Sequence, residues 1–369
     1  MKERLHIAII DPVGKKAGMD QYNLFMGRGL LNTGVRVTVF STATSADNDI
    51  LVKRYFLMFL RSRYLQGLFA LVGYLRSWLW CKRNSIDVVL FHIYHFSRTD
   101  YYILRWFRKS GFRVALMIHD VDPFRYAAPD ARKRKILTEF TNYCFVHHAT
   151  SRNELIQLIP GLRVTVVPHG HFIDSVKHRL EKAAARHLLG IPDGKICPLF
   201  FGMIKPEKGL DVLLDAFSFL DKRFFLLVAG RERGCQAKIA ARVSSFVQQQ
   251  RCRAELRYLS PEEMEVWMAA ADLIVLPYRR IYQSGVAMQA MSRKIPLIVS
   301  DLPAFDDWKK NGLVRIFRDG DAKHLAQRIA EAAEHNDVSQ DMAQKAFDYL
   351  REQHDWNIVG AEIIATIQS

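Results

Sequence analysis

The sequence predicts an α/β protein made of two doubly wound, Rossmann-like domains, and three observations support that prediction. Short apolar runs alternate with longer amphipathic segments along the whole chain, as in parallel sheets covered by helices. The 369 residues exceed one ordinary hydrophobic core and fit two domains. A mostly polar stretch, residues 176–195, separates two series of apolar runs and predicts a linker.

The first domain, residues 1–175, is predicted from six short apolar runs with helical segments between most of them. The candidate strands are 5–10, 35–40, 87–91, 114–118, 143–146 and 164–167. Gly14 and Gly18 follow the first strand in a glycine-containing loop. Their spacing does not match a dinucleotide-binding fingerprint, and a plain turn would have a similar sequence.

The second domain, residues 196–352, is predicted from a second series of apolar runs. Its candidate strands are 198–201, 225–229, 254–258, 273–276, 297–300 and 314–317. A cleft that faces the carboxyl ends of the strands of both domains is the expected ligand site.

The composition is that of a soluble globular protein, with 49% hydrophobic and 25% charged residues and no repeat of fixed period. The five cysteines are odd in number and form no C-x-x-C pair, which favours reduced thiols in a cytosolic protein. The first residues lead straight into a strand-like run, without the pattern of a signal peptide. The sequence has no run of about 18 apolar residues, so no membrane span is predicted.

The net charge of +15 is concentrated in the first domain, where 25 Lys and Arg face 13 Asp and Glu through residue 175. Such a bias favours an anionic surface or a phosphorylated substrate. Residues 51–84 hold seven basic residues, no acid, and leucines and aromatic residues near helical spacing. This segment is predicted to be a helix that lies on an anionic membrane. A core helix with a solvated basic edge is the alternative.

A turn that follows a predicted strand carries the first candidate site residues. In "LFFGMIKPEKGLDVLLDAFSFL" (199–220), the strand ends at Gly202, the turn holds Lys205 and Lys208, and an amphipathic helix follows. Two lysines beside a helix N-terminus at the end of a sheet would neutralise a diphosphate. An ordinary turn with solvated lysines is the alternative.

A second turn supplies amide groups instead of cations. Ser284 is a good helix N-cap, and the free amides of Gly285 and Val286 are predicted to point at an anion. A capped helix after a strand is common and is weak evidence alone. The two turns together predict a nucleotide diphosphate site in the second domain.

Three segments of the second domain resemble the donor-binding half of glycosyltransferase family 4, whose members are retaining enzymes of the GT-B fold. They are "FGMIKPEKGLDVLLDAF", "YLSPEEMEVWMAAADLIVLPY" and "SGVAMQAMSRKIPLIVSDLPAFDD". The first domain is similar too, with "MIHDVDPF", "HHATSRNEL" and "VVPHGHF" in the expected order. The resemblance implies a GT-B fold with a cleft between its domains, and a helix in 353–369 that crosses back to the first domain.

For the donor diphosphate, the resemblance implies contacts with Gly202 and Lys208, with Lys205 nearby. The amides of residues 284–286 would complete that pocket, and charge that develops on the leaving diphosphate would be stabilised there, with Lys208 as a catalytic cation.

For the nucleoside and the sugar, the resemblance implies that Tyr258 and Leu259 receive the base and that Gln289 contacts the ribose. His119, at the end of a predicted strand, would contact the donor sugar and act in catalysis. Gly14 and Gly18 would lie over the acceptor and the phosphates.

The sequence departs from the family at a pair of glutamates spaced eight residues apart. Ile281 or Arg280 stands at the first position and Gln289 at the second. Gln289 can still accept and donate hydrogen bonds, so nucleotide binding remains predicted. We also consider that Arg279 or Arg280 pairs with an anionic donor sugar, with an outward-facing arginine pair as the alternative.

Asp120 and Asp122 look like the D-x-D metal motif of another glycosyltransferase fold. We expect no metal there, because Lys208 and the helix amides already neutralise charge. No cofactor is expected beyond the nucleotide sugar, which is a co-substrate.

The sequence thus predicts a cytoplasmic hexosyltransferase on the inner face of the plasma membrane. It would use a UDP- or GDP-linked donor and a lipid-linked glycan acceptor in surface polysaccharide synthesis. An inverting transferase of the same fold and a catalytically degenerate nucleotide-binding subunit are the alternatives. A nucleic-acid partner is not expected, because the basic residues cluster with an apolar aliphatic face.

Overall fold

The chain folds into two units, as seen in a computed structural model that describes residues 4–14, 18–42, 49–57, 63–121, 129–176, 180–234 and 237–369. The first unit comprises Met1–Gly170 together with Gln353–Ser369, and the second comprises His171–Glu352. Each unit holds one parallel sheet with helices, so the predicted pair of Rossmann-like domains is confirmed.

The first unit contains a seven-stranded sheet in the order β3-β2-β1-β4-β5-β6-β7, and every neighbouring pair is parallel. Its central strands are buried along their length, as a sheet covered on both faces requires. The strands are β1 His6–Ile10, β2 Arg36–Ser41, β3 Leu51–Arg54, β4 Val88–Ile93, β5 Arg113–Ile118, β6 Tyr143–Val146 and β7 Thr165–Val166.

Among the described residues of this unit, six α-helices accompany the sheet, and one of them comes from the C-terminus. They are α1 Met19–Leu31, α2 Arg63–Arg83, α3 Arg98–Lys109, α4 Asp130–Glu139, α5 Ala149–Leu158 and the last helix of the chain, Trp356–Gln368. That last helix packs on α1 backbone to backbone, because glycines face each other. A Cβ on Gly29 would lie 1.9 Å from the Trp356 carbonyl oxygen, and one on Gly360 would lie 2.3 Å from the Gly29 carbonyl oxygen.

The prediction of one helix over 51–84 is wrong at its start. Residues Leu51–Arg54 form β3, which pairs with β2 in parallel register, and α2 begins only at Arg63. Phe56, one of the aromatic residues of this segment, is 2% exposed and packs against Tyr74. Residues 51–54 form backbone hydrogen bonds with β2. If these residues were helical, the edge of β2 would be left unpaired. The predicted apolar residues Phe59 and Leu60 lie outside the described residues.

The second unit contains a six-stranded parallel sheet in the order β10-β9-β8-β11-β12-β13. Its strands are β8 Pro198–Phe201, β9 Leu226–Ala229, β10 Cys252–Glu255, β11 Leu273–Leu276, β12 Leu297–Ser300 and β13 Arg315–Phe317. Its helices are α6 Lys182–Leu189, α7 Leu210–Phe217, α8 Ala237–Gln248, α9 Pro261–Ala270, α10 Gly285–Met291, α11 Asp306–Lys310, α12 Ala322–Glu334 and α13 Asn336–Gln353, which makes the last helix α14.

Two boundaries in this unit differ from the predicted ones. The predicted linker 176–195 contains α6, which packs against α9, and Arg186 of α6 forms an ion pair with Asp272 at 2.6 Å. Ala185 of α6 is buried. A mostly polar segment with one apolar face can pack as a helix against the rest of the unit. The predicted strand 254–258 begins earlier, at Cys252, because Cys252 and Leu226 are in register across β10 and β9.

Candidate functional site

Two neighbouring strands of the second sheet, β8 and β11, end beside the predicted diphosphate-binding residues. Gly202 directly follows β8 with a φ of +111°, a conformation that favours glycine. Gly230 approaches so closely that a Cβ on it would lie 1.8 Å from the Gly202 carbonyl oxygen. A Cβ on Gly202 would in turn lie 3.1 Å from Cγ2 of Val286, so the turn after β8 lies against the start of α10.

Lys208 is held by a tight turn at the same place. The 3₁₀ turn Pro206–Lys208 ends at Gly209, which has a φ of +67° and caps α7. A Cβ on Gly209 would lie 1.8 Å from the Pro277 carbonyl oxygen, so this turn is packed against the residue after β11. The Lys208 ammonium lies 3.7 Å from the centroid of the Tyr278 ring, a cation–π contact.

Arg279 fixes that turn from the β11 side. Its guanidinium donates to Oδ1 of Asp211 at 2.8 Å and to the Pro206 carbonyl oxygen at 2.8 Å, and its backbone amide donates to the Glu207 carbonyl oxygen at 2.9 Å. The guanidinium holds the pKa of Asp211 below its usual range. Arg279 thus has partners within the protein, and the pairing of Arg279 or Arg280 with an anionic donor stays a prediction.

Ser284 caps α10, as the sequence predicts. Its Oγ accepts a hydrogen bond from the Ala287 amide at 3.2 Å and lies 3.3 Å from the Tyr278 hydroxyl. Burial raises the pKa of Tyr278 to about 12, so this hydroxyl stays protonated. A Cβ on Gly285 would meet nothing within 4 Å among the described residues, so the backbone of Gly285 borders open space. With seven residues, α10 offers amide groups rather than a long macrodipole.

The side chain of Gln289 has a partner that the sequence did not predict. It is 8% exposed, and its Oε1 accepts a hydrogen bond from Arg293 one turn later. Arg293 also donates to Oε2 of Glu265 at 2.8 and 3.0 Å. Arginine has donors only, so the Gln289 atom that meets it is the oxygen, and the amide nitrogen is the group left to meet a ligand.

The predicted base-binding residues and Lys208 follow two strands that are not neighbours in the sheet. Tyr258 and Leu259 follow β10, and β9 separates that strand from β8. Tyr258 is 53% exposed, whereas Leu259 is buried. Lys205 forms an ion pair with Glu207 at 3.5 Å.

In the first unit, four histidines line the carboxyl ends of adjacent strands. Each lies near the end of a different strand or follows it, from β4 to β7, and all four surround Tyr22 of α1 with ring centroids 5.1 to 5.8 Å away. They are His92, His119, His147 and His169. His119, the predicted catalytic residue, therefore belongs to a cluster.

Hydrogen bonds define the proton positions in part of this cluster. Nδ1 of His147 lies 3.0 Å from the Val167 carbonyl oxygen, so this nitrogen carries the proton and donates it. Nε2 of His147 then accepts from the Tyr22 hydroxyl at 2.9 Å. Nδ1 of His169 likewise donates to the Gly170 carbonyl oxygen at 2.8 Å.

The four imidazoles are neutral at physiological pH. Burial lowers the pKa of His92 to about 3 and that of His169 to about 4. Burial, together with the neighbouring histidines, also lowers the pKa of His119 and His147 well below the usual value. A cluster of neutral imidazoles offers hydrogen bonds to a ligand without adding charge.

The glycine-containing loop after β1 is held by a buried aspartate. Asp11 accepts hydrogen bonds from the Gly14 amide at 3.0 Å and from the Asn23 side-chain amide at 2.6 Å. Burial raises the pKa of Asp11 to about 6 against these bonds. Gly14 and Gly18 have φ values of +55° and +74°, and a Cβ on Gly14 would lie 1.8 Å from Oγ1 of Thr42.

Sequence reasoning found the two turns of the second unit but missed the histidine cluster. A signal was available, because a histidine stands at or just after each of four consecutive predicted strands. Asp122 of the considered D-x-D pair lies outside the described residues. Within the described ranges, no group of three or more histidine, cysteine or acidic side chains is placed to hold a metal ion.

Comparison with known proteins places this geometry in a class. The family model described as Glycosyltransferase Family 4 matches residues 17–197, and the model described as Glycosyl transferases group 1 matches residues 197–335. Together with the two parallel α/β units, these matches define a glycosyltransferase of the GT-B fold. The chain belongs to glycosyltransferase family 4.

Two relatives of known name are similar in sequence. The GDP-mannose:glycolipid 4-beta-D-mannosyltransferase of Xanthomonas campestris pv. campestris is 32% identical over 101 residues, which is 27% of this chain and 29% of that protein. The D-inositol 3-phosphate glycosyltransferase of Thermobispora bispora is 24% identical over 356 residues, which is 86% of this chain and 82% of that protein. The first match therefore spans less than a third of its relative.

A solved structure shares the fold over the whole length. Anabaena Alr3699/HepE, in complex with UDP and glucose, has a TM-score of 0.77 and is 16% identical, with 99% of this chain and all of that chain covered.

Proposed function

We propose that this protein transfers a hexosyl group from a nucleoside diphosphate sugar to a lipid-linked glycan in surface polysaccharide synthesis. The observation that carries the proposal is the convergence of Lys208, Gly202 and the exposed backbone of Gly285 at the ends of β8 and β11. One fixed cation and free amides suit the two phosphates of such a donor. The family to which the chain belongs supports the same reaction.

In the proposed reaction, the bond between sugar C1 and the diphosphate oxygen breaks, and its electron pair stays on the diphosphate. Lys208 and the amides of residues 285 and 286 stabilise the added charge, and stabilisation of this kind usually lowers the barrier of such a step more than any other effect. The acceptor hydroxyl forms the new bond to C1 on the same face, so configuration is retained. Its proton passes to the departing phosphate oxygen.

The nucleoside of the donor is uridine or guanosine in this proposal. Anabaena Alr3699/HepE has been solved with UDP, and the Xanthomonas relative is named for GDP-mannose. Lys208 and the amides take the neutralising role, so no metal ion is required. Activity should survive EDTA, whereas a loss of activity that Mg²⁺ or Mn²⁺ restores would contradict this part.

A panel of nucleotide sugars tests the donor directly by thermal shift. A donor present at 100 times its Kd should stabilise the protein by about 2.7 kcal/mol. Any donor that raises the melting temperature is then incubated with the protein, and release of its nucleoside diphosphate is measured. No stabilisation by any UDP- or GDP-linked sugar would overturn the proposal.

The anomeric configuration of the transferred sugar, read by NMR, tests retention. An inverted product would favour the alternative of an inverting transferase on the same fold. Tight donor binding without release of nucleoside diphosphate would favour a degenerate binding subunit.

The proposal of a lipid-linked acceptor depends on an exposed apolar face of α2. Six aliphatic side chains between 37% and 56% exposed follow one another at helical spacing: Leu65, Leu68, Leu71, Val72, Leu75 and Leu79. No acidic residue occurs between Asp49 and Asp87. A ridge of exposed leucines on an acid-free, basic segment favours the surface of an anionic membrane, with the protein peripheral on its cytoplasmic face.

Among the described helices, none combines the length and the apolar content that crossing a bilayer requires. The proposal is therefore that α2 lies on the membrane and brings the active site to lipid-linked acceptors. Each basic residue near an anionic surface adds about 1 kcal/mol of attraction.

Co-sedimentation with vesicles tests this part of the proposal. The protein should pellet with vesicles that contain phosphatidylglycerol and not with pure phosphatidylcholine vesicles. Changing Leu68, Leu71 and Leu75 to serine should weaken binding by about 10-fold or more, because apolar burial is lost. Leu188→Ser, at a residue 64% exposed in the second unit, is the matched control and should bind normally. Equal binding by all variants would end the membrane proposal.

A further inference from the structure

A contact between two histidines of the first unit has consequences for catalysis. Nδ1 of His92 lies 2.9 Å from Nε2 of His119. His92 is 7% exposed, and its Nε2 is buried without a hydrogen-bond partner among the described residues. Two ring nitrogens at this distance share one proton, so one histidine donates and the other accepts.

The surroundings of His92 decide which histidine donates. If His119 donated from Nε2, His92 would accept at Nδ1 and its own proton would sit on the buried Nε2. A buried N–H group without an acceptor is rare and costly, because it loses its hydrogen bond to water and gains none. The favoured arrangement has Nδ1–H of His92 donating to Nε2 of His119. His119 then carries its proton on Nδ1.

The ring of His119 is also fixed in place. Its backbone amide donates to the Ile93 carbonyl oxygen at 2.8 Å, which continues the register of β5 with β4. The Tyr94 ring stacks on it at 4.7 Å with 9° between the planes. Within the described part of the chain, the ring of His119 has one hydrogen bond, the one to His92.

We propose that His92 is a positioning residue that holds His119 in the Nδ1–H form, so that His119 offers a donor to an uncharged oxygen of the substrate. This inference rests on the proposed function, in which His119 contacts the donor sugar. A neutral imidazole that donates suits a sugar hydroxyl, which accepts as well as donates. It gives no ion pair to a carboxylate, so the inference favours a neutral hexose over a uronic acid.

Nitrogen NMR of histidine-labelled protein tests the tautomer without any substrate. In the wild-type protein, Nδ1 of His119 should be protonated and Nε2 should not, with the His119 signals assigned by their loss in His119→Asn. The variant His92→Leu removes the donor, so the proton of His119 should move wholly or partly to Nε2. The variant His92→Asn places an amide nitrogen near the former Nδ1 and should retain the wild-type tautomer.

Kinetics provide the second readout. His92→Leu should lower kcat by about 10-fold to 100-fold through a misplaced donor, with little change in KM for the nucleotide sugar. His92→Asn should recover most of kcat. His95→Asn, at an exposed histidine three residues along, is the matched control and should match the wild type in both readouts. Melting curves of each variant separate a loss of folding from a loss of positioning.

Two results would overturn the inference: a proton on Nε2 of His119 in the wild type, or an unchanged tautomer in folded His92→Leu. Absence of sugar transfer in the wild type would instead overturn the proposed function, since the tautomer is measured independently of turnover.

Discussion

The two units share one architecture but differ in the electrostatics at the carboxyl ends of their sheets. The first unit presents four histidines, two buried and two half-buried, whose pKa values are lowered by desolvation, and no lysine or arginine belongs to that group. The second presents Lys208 over an aromatic ring, with Arg279 paired to Asp211 behind it. The carboxyl ends of the strands therefore carry neutral groups in the first unit and a cation in the second.

In the proposed function, the two units would contact two different parts of the donor. The diphosphate needs charge of the opposite sign, and Lys208 of the second unit would supply it at a turn fixed by glycines and an ion pair. The sugar needs oriented donors and acceptors without net charge, and histidines of the first unit would supply these. Desolvation disfavours the protonated form of these histidines. The stability of the first unit should therefore depend on pH, and that dependence can be measured.

The largest expected effect is the pH dependence of the first unit. The unfolded pKa of histidine, 6.5, lies above the folded values of about 3 and 4 for His92 and His169 and above those of His119 and His147. The unfolded chain thus binds protons first as pH falls, and stability present above pH 6.5 is lost below it. Each histidine contributes about 1.4 kcal/mol per pH unit of this loss.

Asp11 opposes that trend. Its folded pKa of about 6 lies above the unfolded value of 3.8, so the folded state binds the proton first and regains stability as pH falls through 6. Four histidines outweigh one aspartate. Hydrogen exchange in urea, read peptide by peptide at pH 7 and pH 5.5, should show β4 to β6 destabilised far more than β8 to β12. Equal losses in both units would contradict the comparison.

Removing the cation of the second unit should have the next largest effect. Lys208→Ala should lower kcat by about 100-fold to 1,000-fold, or about 2.7 to 4 kcal/mol, because charge on the leaving diphosphate loses its main partner. Lys222→Ala, an exposed lysine of the same unit, is the control. A kcat within twofold of the wild type would remove Lys208 from the proposed mechanism.

A smaller effect is expected from the hydroxyl at the centre of the histidine cluster. Tyr22→Phe leaves Nε2 of His147 buried without its donor, which should lower the free energy of unfolding by about 1 to 3 kcal/mol. The exposed Tyr102→Phe should change it by less than about 0.5 kcal/mol. Urea titration followed by circular dichroism measures both, and equal stability of the two variants would count against the hydrogen-bonded cluster.

The smallest effect concerns the ion pair of the second unit. The side chains of Arg279 and Asp211 are 41% and 36% exposed, so solvent screens their attraction. Asp211→Asn should therefore lower the free energy of unfolding by no more than about 1 kcal/mol. A loss above about 2 kcal/mol in the same titration would show that the charges of the second unit stabilise it as strongly as the neutral network stabilises the first.

The sequence predicted the sheets well because parallel strands buried on both faces are continuous apolar runs, such as Val88–Ile93. It mispredicted Leu51–Arg54, since an edge strand with two basic residues lacks that pattern. The alternation of turn and helix also predicted the convergence of Gly202, Lys208 and Ser284. Arg293 and its bond to Gln289 were missed, because the pairing depends on which way a buried side chain turns.

The histidine cluster escaped prediction for a related reason. A single histidine in an apolar run, as in Val88–Ile93, has no periodicity that marks it as a ligand-binding residue. Only the folded first unit brings Tyr22 of α1 into contact with all four rings.

The pairing of Gly29 with Gly360 has a consequence for how the chain is made. The first unit is discontinuous, since its last helix emerges from the ribosome only after the whole second unit has been synthesised. Until then Trp356, whose ring meets Tyr22 at 5.1 Å, is absent from the cluster. Domains tend to fold as units during synthesis, so the second unit can finish first although it is translated later. A chain truncated before Trp356 would lack the last helix of the first unit, so the unit that is synthesised first would remain incomplete.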